Sequence, residues 1–224
     1  LRATNGAPAV RLGDGAGAAL SRDGKWVAGT NSDGSQIEIF PTGPGSTRRI
    51  PCGRINCAFP ALLPDGRVVF TGVEPGRGAR IFVTPAETMN PRAISPEGVA
   101  FTTALAVSPD GKEVAALGVD AKPAIFPIDG GSPRPIPGTE VLDLPMRWTP
   151  DGAAIYVSRK QATGSVLSKV DLASGTRTVL REVHPGDPAG IQGVLRVYPT
   201  PDGRYYAYSY VRVLSTLFEV EGVR

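Results

Sequence analysis

The apolar residues of this chain fall into short blocks that recur at regular intervals. Five blocks show little alternation with polar residues: Trp26-Val27-Ala28, Val68-Val69-Phe70, Val114-Ala115-Ala116-Leu117, Ile155-Tyr156-Val157 and Tyr205-Tyr206-Ala207-Tyr208. A strand that is apolar on both faces is one buried on both faces. Each block is followed by a further predicted strand: Gln36 to Phe40, Arg80 to Thr84, Ala124 to Ile128, Val166 to Val170 and Thr216 to Val220. After a short polar turn such as Asp129-Gly130-Gly131 comes a basic, more polar strand: Arg48 to Pro51, Arg92 to Ser95, Arg134 to Pro137 and Thr176 to Leu180. Arginine and proline suit an outer edge, where a free ladder must not invite pairing.

A turn precedes each apolar block, and it repeats in sequence. It reads Ser21-Arg22-Asp23-Gly24, Leu63-Pro64-Asp65-Gly66, Ser108-Pro109-Asp110-Gly111, Thr149-Pro150-Asp151-Gly152 and Thr200-Pro201-Asp202-Gly203. Proline presets φ for the turn, aspartate bonds back to nearby amides, and glycine takes the left-handed conformation that closes a hairpin. Arg22 stands where the other turns carry proline. From aspartate to aspartate the intervals are 42, 45, 41 and 51 residues. A period of about 40–45 residues is that of one four-stranded propeller blade. The longer last interval maps its excess onto Glu182 to Gln192, a Gly- and Pro-containing stretch predicted to be a loop insertion.

The pattern therefore predicts an all-β fold, a β-propeller of four-stranded antiparallel blades with five repeats visible, as the whole of a ring or part of a larger one. The chain is expected to form a single domain over 1–224, with units near 13–52, 53–96, 97–138, 139–181 and 182–224. Residues 1–12 read as the end of a third strand, a turn at Thr4-Asn5-Gly6 and a fourth strand at Ala9 to Leu12. That strand either closes the last blade as a clasp against Thr216 to Val220 or is the tail of a preceding blade. An open arrangement would leave blade edges available for self-association. The chain opens at Leu1 without an initiator Met or signal peptide, and is expected to be a processed or truncated piece of something longer.

Composition and charge narrow the function classes. With 41% apolar residues and a net charge of +3, the chain is not of disordered type. No apolar run is long enough to span a membrane as a helix, so no direct membrane insertion is expected. The 24 basic and 21 acidic residues are scattered singly, without the basic runs and interleaved aromatics that track a nucleic acid, so none is expected as partner.

Candidate chemistry is sparse. His184 is the sole histidine and lies in the Gly- and Pro-containing insertion, and no Gly-x-Ser-x-Gly elbow is present. A lone loop histidine supplies none of the mutual geometry that a catalytic triad needs. Cys52 and Cys57 are expected as two reduced thiols in a blade connection. The alternative is a disulfide, which would indicate an oxidising compartment. A zinc site would need more ligands than these. The turn residues Asp23 and Gly24, Asp65 and Gly66, Asp110 and Gly111, Asp151 and Gly152, and Asp202 and Gly203 are assigned structural roles, because each aspartate already has local amides to bind. Asp14-Gly15 is likewise expected to be a turn and not a calcium loop. No catalytic, metal or cofactor-binding residue is assigned.

Several stretches resemble one protein type: Ala9 to Gly13, Glu74 to Arg80, Pro91 to Val99, Pro133 to Gly138, and the closing Tyr206-Ala207-Tyr208-Ser209-Tyr210, Val213-Leu214-Ser215 and Val220-Glu221-Gly222. They are similar to the C-terminal TolB-like (WD-repeat-like) β-propeller of eukaryotic-type serine/threonine protein kinases from acidobacteria and related soil bacteria. The resemblance covers essentially the whole chain. It implies a parent with an N-terminal kinase domain and a membrane segment, the propeller serving as sensing or docking module. Attached to such a parent, the propeller would be extracytoplasmic; otherwise it would be cytoplasmic. The chain itself has no Gly-rich loop with a strand lysine, no His-Arg-Asp and no Asp-Phe-Gly, so no kinase residue carries over. The expected role is a non-catalytic module for a protein or peptide ligand. The alternatives are the substrate-screening propeller of a peptidase and a propeller enzyme of the lyase or lactonase type.

Overall fold

The computed structural model describes residues 1, 6–88, 90–101 and 105–215. Among these residues there are strands and no helices. The first four-stranded antiparallel sheet is β1 (Ala16–Leu20), β2 (Trp26–Thr30), β3 (Gln36–Pro41) and β4 (Arg48–Pro51). The second is β5 (Asn56–Leu62), β6 (Val68–Val73), β7 (Arg80–Thr84) and β8 (Arg92–Ala93). The third is β9 (Ala106–Val107), β10 (Glu113–Leu117), β11 (Pro123–Pro127) and β12 (Arg134–Pro135). The fourth is β13 (Leu144–Trp148), β14 (Ala154–Lys160), β15 (Ser165–Asp171) and β16 (Arg177–Val183). A two-stranded sheet follows, β17 (Ile191–Pro199) and β18 (Tyr206–Arg212). Strands pair in chain order within every sheet, so each sheet is a simple meander.

The core lies between the sheets, which explains the unalternating strands. In β6, Val68 and Phe70 join a cluster with Ile37 and Ile39 of the first sheet, while Val69 joins Val114 and Phe126 of the third. In β10, Val114 and Ala116 face the second sheet and Ala115 faces Trp148 and Ile155 of the fourth. In β14, Ile155 and Val157 face the third sheet, and Tyr156 packs with Val194 and Val197 of the fifth. Successive side chains of one strand thus enter different interfaces, as the two-residue period dictates.

The strands depart from the sequence reading in three places. The block after the fifth turn is not buried on both faces: every residue of β18 is exposed, Tyr206, Tyr208 and Tyr210 included. Among the described residues no apolar cluster joins this sheet to the first. The loop predicted from Glu182 to Gln192 is shorter than expected, since β16 runs to Val183 and β17 begins at Ile191. Ala9 to Leu12 is not a strand; the backbone N and O of Leu1 bond with the O and N of Val10, both at 2.7 Å. The turn at Thr4-Asn5 and the strand Thr216 to Val220 lie outside the described residues.

A cavity lined by the five first strands

The first strand of each sheet lies innermost. Residues at or beside β1, β5, β9, β13 and β17 line one cavity of about 1300 Å³, together with Trp26, Ile39 and Arg48 of β2, β3 and β4 and with Ala86, and residues from all five repeated turns border it. Four of these inner strands carry bulges, at Gly17/Ala19 in β1, Ala58/Ala61 in β5, Pro145/Arg147 in β13 and at two places in β17. A bulge bends its strand and re-aims a side chain. In β5 it contains Phe59, a non-glycine residue at φ 50°. Phe59 lines the cavity, meets Phe101 edge to face at 6.1 Å, and lies under the Arg196 guanidinium at 5.4 Å. Arg196 follows a bulge of β17 and donates to the Tyr198 hydroxyl at 3.1 Å. Arg147 follows the bulge of β13 and lines the same cavity. Its surroundings strip part of its water, which lowers its pKa from the ordinary arginine value. Trp148 beside it is anchored, its indole N–H donating to the Ala106 carbonyl at 2.9 Å.

The rim is built from the turn repeat. In the first turn the Ser21 hydroxyl donates to Asp23 at 2.6 Å, Asp23 accepts the Lys25 amide at 3.1 Å, and the Trp26 amide donates to Ser21 Oγ at 3.0 Å. The same three bonds recur around Ser108 and Asp110, Thr149 and Asp151, and Thr200 and Asp202. The hydroxyl bond, followed by the amide bond, holds these four carboxyls below their ordinary pKa. Leu63 has no hydroxyl, and there Asp65 takes the Arg67 amide at 3.0 Å and its Nε at 2.7 Å. The glycines Gly24, Gly66, Gly111, Gly152 and Gly203 all have φ between 69° and 87°, where a side chain is strained. Each aspartate is thus occupied within its own turn. Arg22 uses the position proline holds elsewhere to reach the Pro109 carbonyl of the third turn at 2.8 Å.

The remaining candidates lie apart from this cavity's lining. His184 sits in the connection from β16 to β17, against Gly164, with Glu182 at 3.9 Å. Cys52 and Cys57 are joined by a disulfide, where two reduced thiols were expected; both are buried beside Ile50 and Phe70. The Ile55 amide donates to the Cys52 carbonyl at 3.1 Å, so the connection folds back and brings the Cα atoms to 6.3 Å. Asp14 pairs with Arg11. Among the described residues no group of three or more His, Cys, Asp or Glu side chains is placed to hold a metal ion.

Phe59, Arg147 and Arg196 were not singled out by their sequence context. The available signal was Pro60 and Pro145 inside strands, since proline within a strand marks a bulge or an edge.

No protein-family model matches this chain, and no curated protein matches it by sequence. Solved structures do. TolB from Acinetobacter baumannii superposes with a TM-score of 0.62 at 16% identity, over 86% of this chain and 53% of that one. The fold is a TolB-like β-propeller. A TolB-like protein of Agrobacterium tumefaciens agrees, with a TM-score of 0.63 at 19% identity over 86% of this chain and 68% of that one. A chain of a nidogen/laminin complex gives 0.55 at 17% identity, over 75% of this chain and 63% of that one. The chain spans about half the length of the Acinetobacter protein.

Proposed function

We propose that this chain is a non-catalytic propeller module that binds a protein or peptide segment in its central cavity, within a signalling protein whose kinase domain lies elsewhere in a longer polypeptide. The observation that carries the binding part is the cavity itself. Its wall is formed by five inner strands that bring Phe59, Arg147 and Arg196 to one space, and its rim carboxylates are committed to their own turns. A rigid scaffold presenting aromatic and arginine side chains suits recognition, since those residue types dominate interface energetics. The occupied aspartates and the isolated His184 favour binding over turnover. The kinase association is supported by the resemblance of the sequence stretches Glu74 to Arg80 and Tyr206 to Tyr210, and the buried Cys52–Cys57 bond fits an oxidising, extracytoplasmic setting.

Selection of phage-displayed peptides on the immobilised protein tests the binding part. Enriched peptides should lose affinity for Phe59→Ala while that variant keeps its circular dichroism spectrum. Peptides insensitive to Phe59→Ala and to Arg196→Ala would place the binding surface elsewhere. A reading frame that joins this chain to a segment with a Gly-rich loop, His-Arg-Asp and Asp-Phe-Gly is expected; a frame without one refutes the kinase part.

A further inference from the structure

The cavity has an unbalanced charge. Among the described residues four arginines line it, Arg22, Arg48, Arg147 and Arg196, against one carboxylate, Asp23. Asp23 is satisfied by Ser21 and the Lys25 amide. Three of the arginines have partners: Arg22 the Pro109 carbonyl at 2.8 Å, Arg48 the Trp26 ring at 4.6 Å, and Arg196 the Tyr198 hydroxyl and the Phe59 ring. Arg147 alone of the four has no ion pair, hydrogen bond or ring partner among the described residues. Arg147 is exposed into the cavity, so its guanidinium is open to a counter-charge there. The guanidinium's planar fork matches a carboxylate bidentately.

Size and charge choose the ligand. Pockets for small molecules measure about 300–1,000 Å³, and this cavity, at about 1300 Å³, exceeds them. A chain segment fills such a space where a metabolite does not. Arg22, Arg48 and Arg196 are engaged with neutral groups, so the free planar fork is that of Arg147 alone, which matches a single carboxylate.

We propose that the cavity selects an acidic peptide segment, with Arg147 as the specificity-determining residue that receives a glutamate or aspartate carboxylate. This rests on the reading of the cavity as a peptide site. The test uses two fluorescent random octapeptide pools that differ at one central position, fixed as Glu in one and Gln in the other, with glutarate as competitor. Anisotropy should show the Glu pool binding about tenfold or more tightly than the Gln pool, in line with a hydrogen bond to a charged group. Arg147→Gln should erase that difference, and Arg147→Lys should keep part of it, both with an unchanged unfolding midpoint. Equal binding of the two pools, or a preference that survives Arg147→Gln, overturns the carboxylate assignment and leaves the peptide site standing. Displacement by glutarate at concentrations equal to the peptide overturns the peptide as the carboxylate's source. Binding of neither pool overturns both readings.

Discussion

Asp143 is the buried charge on which the fourth sheet's outer region is organised. It is 0% exposed and accepts Arg159 Nε and Nη2, each at 2.8 Å, Arg177 Nη1 at 2.7 Å and the Glu140 amide at 2.9 Å. Asp143→Asn keeps the shape and an acceptor for the Glu140 amide, but removes the charge and turns an NH₂ toward two guanidinium groups. Removing one partner of a buried ion pair costs about 3–5 kcal/mol. Arg159 and Arg177 retain 30% and 21% exposure and can recover some hydration, so the lower end applies, about 3 kcal/mol. For a chain of this length that corresponds to about 6–12 °C in Tm. Thermal unfolding followed by far-ultraviolet circular dichroism measures it. Burial pushes this carboxyl upward, yet Arg159, the Glu140 amide and Arg177 together outweigh it, so its pKa falls below its ordinary 3.8. A depressed carboxyl stabilises above its unfolded pKa and loses that contribution as pH falls through its folded value. The gap between wild type and Asp143→Asn should therefore be full near neutrality and close below about pH 4. A loss under about 1 kcal/mol at pH 7, or a gap independent of pH, would refute the assignment of Asp143 as a structural anion.

Reduction should lower stability by about 2 kcal/mol, the loop-closure value for so short a ring, read as the shift in urea midpoint with and without dithiothreitol; an unchanged midpoint means that the thiols were already free. Gly138→Ala should cost about 2–3 kcal/mol, because the position has φ 66° and a Cβ there would lie 1.9 Å from the Gly175 carbonyl oxygen; near-wild-type Tm would show that this approach is not tight in solution. Asp23, Asp110, Asp151 and Asp202, all held below the ordinary carboxyl value, contribute above that value and lose their contribution as pH falls through the depressed ones, so stability should decline below about pH 4. A flat acid limb in urea titrations between about pH 5 and about pH 2 would contradict that.

The frame of this molecule was legible because it depends on local chemistry. The Ser/Thr-x-Asp-Gly turn carries its own hydrogen bonds within five residues, so its recurrence located the hairpins. The unalternating Val68-Val69-Phe70 announced burial on both faces, and the two clusters that divide it explain why. The same rule failed for Tyr206-Ala207-Tyr208, since burial on both faces requires a neighbour on each side and the strand's own residues cannot supply one. Tyrosine also tolerates a half-wet surface, being apolar in body and polar at the tip. Reduced thiols were expected at Cys52 and Cys57 because five-residue spacing permits both states; the fold-back at Cys52, which brings the two cysteines together inside the second interface, is a tertiary fact.

The cavity was illegible for a different reason. Its residues come from separate repeats, Phe59 from the second, Arg147 from the fourth and Arg196 from the fifth, and each is placed by a bulge that breaks the alternation from which orientation is read. A bulge reverses which residues face inward, so a period-two reading of β13 cannot tell whether Met146 or Arg147 points to the ring centre. The repeat sets where five strands converge, and the departures from the repeat set what they present there. Arg22 illustrates this most directly. It costs the first turn the preset φ of proline, and in exchange its guanidinium reaches the third turn across the rim. Positions where one repeat differs from the others are therefore the ones to substitute first when the ligand is sought.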